Sequence, residues 1–174
     1  MADLATELVN AGVARTTAHP SRKEDDSDPA PPSPLPYISG QTLRRITDPL
    51  PVPEQCPFCG GLPKYVNHAD IYGGREYGSW PYALACASCD AYVGLHPYTH
   101  IPLGTLANKD LREARKRGKS AFIRLVDQRG WLRSEGYEWL ARRLDIAIET
   151  CHWGWFDLET CGQAELICRK GEMK

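Results

Sequence analysis

The chain has 174 residues, with 21 Lys or Arg against 22 Asp or Glu. That length holds one ordinary domain, or a small one with tails, and a near-neutral balance gives no bulk attraction to nucleic acid or membrane. No apolar run approaches the roughly 20 residues of a membrane helix, and the N-terminus has neither a secretion signal nor, with Asp3 and Glu7, the acid-poor character of a transit peptide. These features predict a cytoplasmic protein, and its seven cysteines do not make a disulfide scaffold in a reducing compartment.

Residues 1–50 differ from the rest. Leu4, Leu8 and Val9 suit either a frayed tail or one face of a short docking helix. Ser21 to Asp28 is a charge run, and five prolines fall between Pro29 and Pro36. Such composition buries too little apolar surface to offset its ordering entropy, so a largely disordered tail is expected over 1–50. Tyr37, Ile38, Leu43 and Ile46 are the residues there that would pack on the folded part. Pro49, Pro51 and Pro53 stop any helix before the first cysteine pair.

Residues 51–105 carry Cys56-Pro-Phe-Cys59-Gly-Gly and Cys86-Ala-Ser-Cys89, with 26 residues between the pairs. Each turn points two sulfurs the same way, and four thiolates suit one tetrahedral metal. Zinc is the first reading because it is redox-silent and prefers sulfur; iron is the second. Four thiolates fill the shell, so the metal is expected to be structural and not catalytic. Extended runs at Lys64–His68, Tyr82–Cys86 and Tyr92–His96, with a glycine turn at Gly73 and Gly74, predict the small antiparallel sheet of a zinc ribbon. So small a sheet should fold only with its metal. Tyr72, Tyr77, Trp80, Tyr82 and Tyr92 read as its apolar cover before they read as stacking surfaces for bases.

From residue 106 to 174 the period turns helical. Asn108 is the expected N-cap of a first helix with Leu111, Ala114, Ala121, Phe122 and Leu125 inward and Gly118 as a weak point. A second is expected after Ser134, with Tyr137, Leu140, Ala141 and Leu144 on one face. A third starts at Asp157, with Leu158, Cys161, Ala164, Leu166 and Cys168 inward and Gly171 as its end. The expected fold is α+β: a small antiparallel zinc-ribbon sheet packed against two or three helices, one compact unit over 51–174 behind a disordered N-terminal tail.

Charge is uneven within that unit. Residues 109–133 hold nine basic and three acidic residues, whereas 134–165 hold two and seven. Lys109, Arg112, Lys116 and Lys119 recur at helical steps, flanked by Arg115 and Arg117. A solvated face is the default reading of such a stripe; phosphate tracking on DNA or RNA is the sharper one. Arg133 to Ile146 reads either as an amphipathic helix or as the first half of a helix-turn-helix. His96 and His100, between Pro97 and Pro102, read as loop residues with structural roles. Cys151, His152, Cys161 and Cys168 read as a core of free thiols before they read as a second metal site or as a nucleophile and base. No phosphate loop or Gly-x-Ser-x-Gly elbow is present.

Several separated blocks carry a resemblance: the two cysteine turns with their following residues to His96, Ile71-Tyr-Gly-Gly, Pro102-Leu-Gly-Thr-Leu-Ala-Asn108, Leu111-Arg-Glu-Ala-Arg115, Trp139-Leu-Ala141 and Gly154-Trp-Phe-Asp157. Over residues 55–165 the chain resembles a zinc-finger-containing family of small bacterial and phage proteins. That resemblance implies one zinc on Cys56, Cys59, Cys86 and Cys89 and no established reaction. Lys119-Ser120 departs from it, where a His is expected. The resulting expectation is a structural-zinc binding module, not an enzyme, acting on nucleic acid or a nucleic-acid machine as a phage or mobile-element regulator. The alternative is a protein-interaction module that modulates a host enzyme or defence complex.

Overall fold

In the computed structural model, which describes residues 29–172, a three-stranded sheet precedes three long helices. The strands are β1 (Pro63–Asn67), β2 (Tyr82–Cys86) and β3 (Tyr92–Gly94), antiparallel in the order β1-β2-β3. Tyr65 pairs with Leu84 and Leu84 with Val93, so these three share a face of the sheet. They belong to a ribbon core that also holds Leu35, Trp80, Leu95 and Leu106. The register sets Pro63 opposite Cys86. It thereby brings the turn that enters β1 beside the turn that leaves β2.

The expected extended run to His68 stops one residue earlier. Asn67 caps a short helix, α2 (His68–Ile71), by accepting from the Ala69 N–H, and Asp70 accepts the Asn67 N–H in return. The chain then reverses through Gly73 and Gly74, both at positive φ.

The segment ahead of the ribbon takes part in the core. Leu35 and Ile38 are 5% and 2% exposed. Tyr37 stacks on Tyr98 and meets the edge of Trp80, and the Ser39 N–H donates to the Tyr98 carbonyl. A four-residue helix follows, α1 (Gly40–Leu43), capped by Ser39. The packing expected of Ile38 is thus found, and it reaches back to Leu35 within the proline-rich stretch because two well-spaced apolar side chains suffice to seat a short segment. Leu4, Leu8, Val9 and the charge run to Asp28 lie outside the described residues.

The helical part has a second core. Helix α3 (Lys109–Arg129) starts where Asn108 Oδ1 accepts the Leu111 N–H and ends at Gly130, in the left-handed region at φ 62°. Helix α4 (Arg133–Leu144) is closed at its start by Glu135, which accepts the Leu132 N–H. Helix α5 (Leu158–Glu172) starts on Asp157, which accepts the Thr160 N–H. Leu125, Leu140, Cys161, Ala164 and Cys168 meet between the three helices without solvent exposure.

Three expectations change on inspection of this core. Gly118 is not a weak point: a Cβ there would overlap the Trp153 ring, so the glycine makes room for a large buried side chain. Gly171 does not end α5 but lies in its last turn, where an added Cβ would come within 3.2 Å of Leu125 and Trp139. The helix-turn-helix reading of Arg133 to Ile146 also fails. Its second helix should follow a turn of about 3–4 residues, whereas α4 leads into a short 3-10 turn at Ile148–Thr150 and irregular chain to Asp157. Among the described residues no helix is long and apolar enough to cross a membrane.

Two effects oppose each other at position 118. Removing a helix-interior glycine favours the helix by about 1 kcal/mol, while overpacking a filled core costs about 1–3 kcal/mol. The Trp153 ring is buried on all sides, so overpacking wins. Gly118→Ala should lower the melting temperature, as read by circular dichroism.

Candidate metal centre

The two cysteine turns face each other as the register requires. Cys56 Sγ lies 3.6 Å from Cys89 Sγ, and Cys59 Sγ lies 3.4 Å from Cys86 Sγ. All four sulfurs fall within 4.8 Å of one another. A tetrahedral zinc with bonds near 2.3 Å has sulfur–sulfur edges of about 3.8 Å, so the donor set fits one such ion in type, number and spacing. Four thiolates leave no open coordination position, which makes this a structural site.

Glycine is required at both positions after the first pair. Gly60 stands at φ 71°, its N–H donating to the Cys56 carbonyl, and the Gly61 carbonyl accepts the Cys56 N–H. A Cβ at Gly61 would lie 2.6 Å from Ser88 Oγ and 3.0 Å from Cys86 Sγ, so the turns press directly together. Cys56 and Cys86 are buried, Cys89 is half-buried and Cys59 is exposed.

Backbone N–H groups are aimed at the sulfurs. The Ser88 N–H donates to Cys86 Sγ at 3.3 Å, and this, ahead of burial acting the other way, holds the Cys86 thiol down to about 7. The Ala91 N–H favours the thiolate of Cys89 too, yet burial and the neighbouring thiols push Cys89 up to about 12. Four sulfurs this close cannot all ionise against one another without a cation. A zinc ion resolves the conflict by holding all four as thiolates.

The remaining sequence candidates divide. Lys109, Lys116 and Lys119 are exposed on α3. Arg112 and Arg115 are not outward members of that stripe. Arg112 donates to the Asp90 and Ala107 carbonyls, pairs with Asp90 Oδ2 at 3.1 Å and lies 4.1 Å over the Tyr92 ring. Arg115 donates to the carbonyls of Thr105 and Phe156 and to Thr105 Oγ1. Arg117 and Arg124 pair with Glu165 and Glu172 of α5. Glu165 and Glu172 thus sit against the basic helix, a pairing that linear charge counts do not reveal.

Cys151, Cys161 and Cys168 are buried in the helical core. Burial pushes Cys151 and Cys161 up to about 11 and Cys168 up to about 12, so they are neutral thiols and not nucleophiles. His152 is half-exposed, with its ring 4.7 Å from Trp155 and Nε2 3.6 Å from Asp48 Oδ2. His96 and His100 flank a tight loop in which Tyr98 takes φ 62°, and burial lowers the pKa of His96. Among the described residues these side chains form no second ligand cluster.

A family model described as a zinc-finger-containing domain matches residues 52–170. No curated protein and no solved structure matches the chain. The description names zinc, which decides between the two metals that four thiolates alone would suit.

Two outcomes are expected. Cys59→Ser should reduce bound zinc from one ion per chain, as read by native mass spectrometry, and should expose Trp80 in the ribbon core to fluorescence quenchers. Arg115→Ala should cost about 1–3 kcal/mol in denaturant unfolding, since three acceptors lose their donor, while leaving zinc content intact.

Proposed function

The chain belongs to the family of zinc-finger-containing domains, and on that premise we propose that it is a structural-zinc module that docks on another protein. The observation that carries this reading is the inward use of Arg112 and Arg115. Both guanidinium groups are spent on carbonyls at the junction of ribbon and helices. The basic stripe thereby loses its two fork-shaped phosphate donors. Lys109, Lys116 and Lys119 remain, on a helix where Arg117 and Arg124 face glutamates. The partner class of this reading is a host enzyme or defence complex.

Nucleic-acid binding is the second reading, and the exposed Lys109, Lys116 and Lys119 favour it. A test of it must spare Arg112 and Arg115, whose loss would disturb the fold. The zinc-loaded chain should bind random-sequence DNA or RNA no better than the non-specific range of about 10⁻⁴–10⁻⁶ M at physiological salt. Tighter binding that falls steeply with salt, and that Lys116→Glu with Lys119→Glu abolishes, would replace the protein-docking reading.

A further inference from the structure

A groove runs between the first cysteine turn and the start of α5. It consists of two adjoining hollows of about 520 and 280 Å³ that share Pro57, Thr105 and Leu106 as lining. Its lining includes Pro51 and Pro57, which bring no N–H to the wall. Leu106 and Leu158 line it as well. Phe58 is 42% and Leu158 55% exposed at the rim. Isolated exposed apolar side chains are ordinary, but these converge on one concavity.

Two features set this groove apart from a chance hollow. Its floor is rigid. The chain at Gly104 crosses the chain at Gly154 so closely that a Cβ on Gly104 would overlap the Gly154 carbonyl, and the Thr105 N–H donates to that carbonyl at 2.9 Å. Arg115 clamps the same crossing through Thr105 and Phe156. A preformed floor lowers the ordering cost of binding. The groove is also one-signed in charge: Asp110 and Asp157 line it, and no Lys, Arg or His does.

Given the protein-docking reading above, we infer that this groove receives an extended peptide segment of a partner protein. The segment buries an apolar side chain between the prolines and Leu158 and sets a Lys or Arg against Asp110 and Asp157. The carboxylates and the absence of lining cations disfavour a phosphate backbone here. They equally call for a basic residue beside the apolar one.

The test is selection of a random peptide library on the full-length, zinc-loaded chain. Selected peptides are then titrated against the wild type, Leu158→Ser and Asp110→Lys, with light scattering to give the oligomeric state. The expected result is a shared motif of an apolar residue near a basic one, on a monomer, with about a tenfold or greater loss of affinity in each variant. Leu158 and Asp110 are both exposed, so zinc content should stay unchanged and certify the fold, with only a small drop in melting temperature in Asp110→Lys from the lost first-turn acid of α3. Selected peptides that ignore both substitutions would overturn the groove and leave the protein-docking reading standing. No shared motif, or a dimer that Leu158→Ser dissociates, would also overturn it, the latter naming a second copy as the occupant. No motif together with tight, salt-steep DNA binding would overturn both readings.

Discussion

Four sulfurs on two turns are the constraint from which the rest of this structure follows. The sheet between the turns has strands of five, five and three residues. That is too little to hold itself together by burial. The metal supplies a cross-link between the entry of β1 and the exit of β2, and the register Pro63 to Cys86 is the one that lets it form. Every other ribbon feature sits inside that closure. Trp80 fills the space behind β2 with its Nε1 donating to the Thr99 carbonyl, and Leu35 and Leu106 close the core from either side.

The helical part is organised on a different principle. Its core mixes small and sulfur-bearing side chains, Ala121, Ala164, Cys161 and Cys168, with the larger Leu125, Leu140, Phe122, Trp153 and Phe156. Small residues let α3 and α5 approach closely, and Gly118 and Gly136 make room for the aromatic rings. Two arginines join the halves. Arg112 reaches from α3 to the loop after Cys89, and Arg115 reaches to the loops at Thr105 and Phe156. The junction is therefore polar and charge-assisted, while each half keeps its own apolar core.

Local chemistry read from the chain carried far. The cysteine turns, the cap at Asn108, the start of α5 at Asp157 and the strand at Tyr82–Cys86 are all where short-range spacing puts them. These features depend on neighbours a few residues away. What escaped the sequence depends on partners far along the chain. Arg112 looks outward by helical periodicity, yet its acceptors are 5 and 22 residues away, and Arg115 finds one 41 residues away. Gly118 reads as a weak point of its helix until Trp153 is seen against it. The apolar groove has no linear signature, because Pro51, Leu106 and Leu158 come from three separate stretches.

One consequence lies in the order of residues around the first turn. Pro57 and Phe58, which wall the groove, are the two residues between the ligands Cys56 and Cys59. Their placement is therefore set by the metal itself. A site whose wall lies between two metal ligands couples the two occupancies wherever zinc steadies that wall, and such coupling is reciprocal. Whatever fills the groove must tighten the hold on zinc by the same factor by which zinc tightens the hold on it. In a compartment where chelators compete for the ion, the chain with its partner would keep the metal longer than the chain alone.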